Sequence, residues 1–197
     1  AEFLLKTDIS PDVVNYLDAL MRSFLGALQT DFEKVLISDG FRTLGPFSDR
    51  ERMTYPQREQ SDLALEPKVT IVVFDQINRT VSPFEDESQL RIIPGQVFGS
   101  LTVGARIELH MYEPLTWEKM WIKTISISTS EREAYSYKFN DLQGRRIFGQ
   151  DSRPQILASI LSKSYKDILD QFHAFFDLRE IRAINSRAKE VREKKRF

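Results

Sequence analysis

The chain has 197 residues, of which 41% are hydrophobic and 29% charged, the balance of an ordinary globular chain long enough for one full domain over residues 1–197. Its 28 Lys and Arg against 29 Asp and Glu leave a net charge of -1, so no overall field draws in nucleic acid or anionic lipid and any electrostatic partner must be met locally. The absence of cysteine excludes a disulfide framework, a thiol nucleophile and thiolate metal sites, and no apolar run approaches the roughly 20 residues that span a bilayer.

Ser10, Pro11 and Asp12 read as a helix start: a capping hydroxyl, a residue suited to the first helical position, and an acid at the positive end of the dipole. Val14, Leu17, Met21, Phe24, Leu28, Phe32, Val35 and Leu36 then recur at three- and four-residue spacing, which predicts one apolar stripe facing a core. Asp39 and Gly40 end the helix, and residues 41–44 read as a short strand. Residues 45–67 read as a connection, with a short helix near 57–65. Over 68–77 apolar residues point both ways, the pattern of a central strand covered on both faces. Residues 78–96 contain Pro83, Glu85, Asp86, Glu87, Pro94 and Gly95, and read as a long loop.

The clearest signal is Leu101, Val103, Ala105, Ile107, Leu109 and Met111 alternating with Thr102, Gly104, Arg106, Glu108, His110 and Tyr112, a half-buried strand. Glu113, Pro114, Leu115 and Thr116 supply a turn, residues 117–128 a returning antiparallel strand, and residues 132–142 a weaker edge strand. Pro154 opens a last helix with Leu157, Leu161, Tyr165, Ile168, Phe172 and Phe175 in a stripe. Beyond Arg179 the apolar positions thin to Ile181, Ile184, Ala188 and Val191, so residues 181–197 are expected to project as a basic end of that helix. The fold class is α+β: two layers, a largely antiparallel sheet packed by a long N-terminal and a long C-terminal helix.

Catalysis needs a nucleophile with a base, a metal cluster or a phosphate cradle, and none leaves a trace in residue type and spacing here. No enzyme, catalytic residue, cofactor or metal site is expected. His110 and His173 share no metal-binding spacing and read as structural residues or isolated ligand contacts. Gly99 and Gly104 do not form a phosphate-binding fingerprint, and read as bulge or close-packing positions. Glu85, Asp86 and Glu87 lack the alternation of a calcium loop and read as a solvated acidic loop. Trp117 and Trp121, two residues apart on an expected strand, would share a face with Lys119 and Lys123; such a strip either stacks a sugar ring or anchors a partner, or lies beneath a helix. Arg187, Lys189, Arg192, Lys194, Lys195 and Arg196 place six cations in ten residues. They form a solvated helix face with internal ion pairs, or contact phospholipid headgroups or a partner protein. No recognition fold or aromatic RNA platform accompanies them, so no nucleic-acid partner is expected.

Several segments together carry a resemblance: the helix ending in Asp39, Gly40 and Phe41, the strand before Asn78, Arg79 and Thr80, the hairpin from Gly99 to the Glu113-Pro114 turn, and the long terminal helix closing with Ala188 to Arg196. In this order they resemble the neuraminyllactose-binding hemagglutinin family of Helicobacter, as a divergent paralogue. The resemblance implies an adhesin-like lipoprotein of the outer membrane, on its surface or periplasmic face, with a signal peptide and a lipid-bearing cysteine upstream of Ala1. It also implies that Asn78, Arg79 and Thr80 match the family's sialic-acid-binding Lys-Arg-Thr segment, with a host sialylated glycan as partner. The lysines that follow in the family are replaced by Glu85, Asp86 and Glu87, which would repel a sialic acid carboxylate. The alternative is a structural or assembly component of the envelope, acting through an envelope protein or the membrane.

Overall fold

The computed structural model describes residues 2–7, 11–47, 49–82, 84–86, 91–128, 133–139, 147–148 and 151–195. The first helix, α1 (Pro11–Ser38), runs as the apolar stripe predicts and buries Met21, Leu28 and Phe32. It stops at Gly40, whose φ of 87° is the left-handed conformation open to glycine; Phe41 N donates to Leu36 O at 2.9 Å and Gly40 N to Ile37 O at 3.0 Å, closing a Schellman cap. The expected strand over 41–44 does not form. Phe41 packs edge-on against Phe176, 6.2 Å between ring centres, and anchors the chain as it leaves the helix. After a single 3-10 turn, Arg50–Arg52, comes α2 (Tyr55–Gln60), which starts earlier than expected because Gln57 Oε1 turns back to accept the Thr54 amide at 2.8 Å and fixes the start there, and which ends at Gln60, short of the expected residue 65.

The sheet is built on two long antiparallel strands, β2 (Ala64–Val81) and β5 (Gly95–Tyr112). At about 3.3 Å per residue each 18-residue strand runs close to 60 Å, so β5 has room for two successive partners on its far side. One is β6 (Lys119–Ser128), paired along residues 104–112; the other is β7 (Glu133–Phe139), paired along 95–101 and continued by the short β8 (Ile147–Phe148). The first strand, β1 (Glu2–Thr7), lies parallel to β2 and pairs with it only as far as Val73.

Two expectations about this region are corrected. Residues 78–96 are not a loop: β2 continues through Asn78, Arg79 and Thr80 to Val81, β5 begins at Gly95, and β3 (Phe84–Asp86) pairs with β4 (Arg91–Ile93) between them. The polar composition hid a strand whose hydrogen bonds are supplied by β5, and a register shift between Ile77 and Arg79 broke its alternation. Nor is β2 covered on both faces. Val69, Ile71 and Val73 are buried on the inner face, while Phe74 on the outer face is 63% exposed.

The inner face of β5 holds Leu101, Val103, Ile107, Leu109 and Met111, all buried, as the alternation predicts. Against it lies α3 (Arg153–Phe175), which buries Leu157, Ile160, Leu161, Ile168 and Phe172, and α1 packs along α3. Phe172 stacks flat on Phe32, 3.8 Å between ring centres, and Tyr165 donates to Asp31 at 2.6 Å.

The single long C-terminal helix is in fact two. Phe176 leaves the helical conformation and is buried among Phe172, Trp121 and Phe41. Asp177 then caps α4 (Leu178–Lys195), its Oδ1 accepting the amides of Arg179 at 2.7 Å and Glu180 at 3.2 Å. The expected projection of residues 181–197 is also corrected through the described residues: Ile181, Ile184 and Ala188 are buried, and Glu180 accepts the Trp121 indole N–H at 2.9 Å, so α4 docks beside β6.

Candidate functional site

The β5–β6 connection, residues 113–118, carries an unusual backbone. Trp117 has φ 55°, and no other described residue except glycine has a positive φ. A left-handed conformation costs roughly 1–2 kcal/mol for a side chain of this kind, and such outliers collect at functional sites when the surroundings over-determine them. Here the surroundings do so. Trp117 N donates to Glu113 O at 2.9 Å, Glu113 N to Glu118 O at 3.0 Å, and Thr116 N to Glu113 Oε2 at 2.6 Å.

The Glu113 side chain is fully buried and its other oxygen, Oε1, accepts Arg192 Nε at 2.7 Å, with Nη2 of the same guanidinium also 2.7 Å away in the ion pair. Arg192 also donates to the carbonyls of Ser61 at 2.8 Å and Glu59 at 3.2 Å. One guanidinium from α4 therefore fixes the turn and the segment after α2 together. Burial pushes the Glu113 carboxyl up, but the Thr116 and Leu115 amides, the Thr116 hydroxyl and Arg192 overrule it and hold it below the ordinary carboxylate range.

Above this base sits a cation and ring cluster. The Arg50 guanidinium lies 4.5 Å from the Tyr112 ring centre and 4.9 Å from that of Trp117, and pairs with Glu66 at 2.7 Å. Arg58 lies 5.5 Å from Trp117 and Lys119 5.8 Å from Tyr112. Desolvation raises Glu66, but the bond to Arg50 and its charge, together with Tyr112 and Lys68, outweigh it and leave the carboxyl below its usual range. Each cation over a ring is worth about 0.5–1 kcal/mol when exposed, so the cluster is ordered yet adjustable at its rim. Its chemistry is that of contact: an indole, guanidinium donors and an ammonium on one surface.

A second cluster is internal. Arg153 is buried, donates to Asp151 at 2.7 Å and to Asp75 at 3.1 Å, and lies over the rings of Tyr135 and Tyr137. The Tyr135 hydroxyl donates to Asp75, and burial with this carboxylate pushes its titration far up. Gly99 makes room for that ring: a Cβ there would collide with Tyr135, so Gly99 is a close-packing position, whereas Gly104 has open space. This cluster bolts the start of α3 to β2 and β7.

The residues singled out from sequence fall in separate places. Asn78, Arg79 and Thr80 lie exposed at the far end of β2, at the bulge, with Arg79 opposite Phe98 and Thr80 opposite Val97. Glu85 and Asp86 belong to β3, while Glu87 lies outside the described residues. Of the terminal cations, Arg192 is tied to Glu113, Lys195 to Glu118 at 2.7 Å and Lys189 to Asp62 at 3.7 Å; Arg187 and Lys194 are exposed, and Arg196 lies outside the described residues. The two tryptophans do not share a face. Trp117 is in the turn, whereas Trp121 and Lys123 face α4, with Lys123 3.2 Å from Glu180. His173 sits 3.1 Å from Asp39 on the surface and His110 is buried between Glu108 and Tyr112.

Sequence spacing alone does not single out Arg50, Arg58, Glu66, Glu113 or Arg153. Arg153 left a signal, because a cation in the first turn of a helix opposes the dipole and must be held by acids. Glu113 left one as well: a carboxylate placed just as an alternating strand ends and a Pro turn begins. Among the described residues no group of three His, Asp or Glu could hold a metal ion, and no described helix is long and apolar enough to cross a membrane.

No protein-family model matches the chain, and no curated protein matches its sequence. Among solved structures, the crystal structure of a neuraminyllactose-binding hemagglutinin homolog from Helicobacter pylori matches with a TM-score of 0.62 and 13% identity, covering 94% of this chain and 86% of that one. At that identity the likeness is a distant relationship of fold, which it extends over nearly the whole α+β architecture.

Proposed function

We propose that this chain is a non-enzymatic binding protein of adhesin-like fold, and that the Trp117 turn with Arg50, Arg58 and Lys119 is its contact surface. The observation that carries the reading is Trp117 itself, a bulky aromatic in the left-handed region, its amide held by the backbone carbonyl of Glu113 in a turn fixed by that residue's fully buried carboxylate, and presented beside cations. An indole face stacks sugar rings, and guanidinium and ammonium donors suit an acidic sugar or other anion. The ligand proposed is a glycan, the class for which the Helicobacter pylori neighbour is named, with sialylated glycans as the first to test. Display on the outer membrane through a lipid anchor upstream of Ala1 belongs to the same proposal.

A glycan array with the purified protein and two variants tests it. Trp117→Ala should abolish the signal while a variant with Asn78, Arg79 and Thr80 all replaced by Ala keeps it. The reverse outcome moves the site to the end of β2, and absence of any glycan signal rejects glycan recognition. A second reading, an envelope assembly component, is favoured by the exposed apolar side chains at the end of the β2–β5 pair, Phe74, Ile77, Val81 and Phe98. Retention of an envelope protein by the wild type and not by Phe74→Ser with Ile77→Ser would support it.

A further inference from the structure

The short helix α2 carries one large side chain that the fold does not use. Tyr55 is 66% exposed, the highest value among the large hydrophobic side chains described, and it makes no hydrogen bond or ring contact among the described residues. A single exposed aromatic on a surface needs no explanation in itself. The backbone beneath this one, however, is fixed at several points. Gln57 Oε1 accepts the Thr54 amide at 2.8 Å, Arg58 donates from Nε to Met53 O and from Nη2 to Arg50 O, each at 2.9 Å, and Met53 is buried. None of these contacts packs the Tyr55 ring, so a rigid support holds an aromatic side chain out in solvent.

Position on the helix ties Tyr55 to the Trp117 surface. Residues three apart on a helix are neighbours, about 5–6 Å between their Cβ atoms, so Tyr55 stands beside Arg58. The Arg58 guanidinium is in turn 5.5 Å from the Trp117 ring centre, and its Nη1 makes no bond among the described residues. Arg58 is therefore the shared neighbour of two aromatic side chains and still has donors to give. Trp117 is already engaged, with Arg50 4.9 Å from its ring centre and the Tyr112 ring edge-on at 5.9 Å. Tyr55 is the ring in this neighbourhood whose faces have no partner.

We infer that Tyr55 is a second stacking platform and a specificity-determining residue, and that the surface takes an acidic oligosaccharide of more than one sugar unit. Arg58 Nη1 meets the acid group, because guanidinium N–H groups and a carboxylate form charge-assisted hydrogen bonds. The indole side holds the sugar that carries the acid, and Tyr55 receives the next sugar, whose apolar face covers the phenol ring. A phenol suits this place: it offers a rigid, amphipathic face at low cost in side-chain entropy, and its hydroxyl stays in water. The second platform presupposes that the Trp117 turn is the contact surface, and the experiment separates the two.

The full chain is titrated by NMR with two probes, free sialic acid and sialyllactose, as wild type, Tyr55→Ala, Tyr55→Phe and Trp117→Ala. The wild type should bind sialyllactose about three- to tenfold more tightly than free sialic acid, the gain that one stacked ring supplies. Tyr55→Ala should remove that gain and leave free sialic acid unchanged, while Tyr55→Phe, which keeps the ring, retains it. Trp117→Ala should weaken both probes. Tyr55 has no partner to lose, so its variants should unfold at the wild-type midpoint. Equal wild-type affinity for the two probes, a gain that survives Tyr55→Ala, or an equal loss on both probes overturns the second platform while the Trp117 reading stands. Binding of neither probe by the wild type, or binding indifferent to Trp117→Ala, removes the contact surface itself and the platform with it.

Discussion

Replacing Arg192 by Met tests the claim that the C-terminal helix is built into the site. The wild-type guanidinium satisfies a fully buried carboxylate and two backbone carbonyls, and its own side chain is 17% exposed. Stripping one partner from a buried ion pair costs about 3–5 kcal/mol because the other charge stays behind without compensation. The exposed rim of Arg192 lets some water reach Glu113, which places the expectation at the low end, about 3 kcal/mol. With a urea dependence of about 2.5 kcal/mol per molar, the unfolding midpoint should fall by about 1.2 M, at an unchanged slope. Arg192→Lys keeps the charge but loses the fork and should recover about half. The acid limb gives a second readout. Glu113 is held below its unfolded value, so the stability it contributes is fully present above about pH 4.3 and is lost as pH falls through the folded value. Arg192→Met should flatten that limb. A midpoint shift under about 0.3 M, with the acid limb intact, would mean that the contact behaves as a surface pair, worth about 1 kcal/mol or less, and the reasoning fails.

Gly99→Ala drives a methyl into the Tyr135 ring, so the hydroxyl must leave Asp75; overpacking of this kind costs about 1–3 kcal/mol, read by thermal unfolding, and Gly104→Ala, with open space, should be near neutral. Phe172→Ala removes a fully buried ring stacked on Phe32 and should cost about 3–5 kcal/mol in urea unfolding. Lys189, Arg192 and Lys195 are engaged within the protein, so on anionic vesicles Arg187→Ala with Lys194→Ala should weaken partition by up to about 2 kcal/mol, while Lys189→Ala with Lys195→Ala changes it little. Equal losses in a vesicle sedimentation assay would show that the ion pairs open at the membrane.

Local periodicity determined much of this fold. The α1 stripe, its glycine stop, the alternation of β5 and the return of β6 are written in spacings of two and of three to four residues, because one buried face imposes them whatever the partner is. What the spacing could not show is who the partner is. The polar end of β2 is a strand only because β5 supplies its hydrogen bonds, and Phe176 leaves the helix because a pocket among Phe172, Trp121 and Phe41 repays the break. The Trp117 surface was out of reach for the same reason. Its parts come from residues 50–66, the end of β5, the following turn and α4, and Arg192 and Glu113 stand 79 residues apart. Charges so distant in sequence become one site only when burial removes water from between them, and that is decided by the tertiary structure alone.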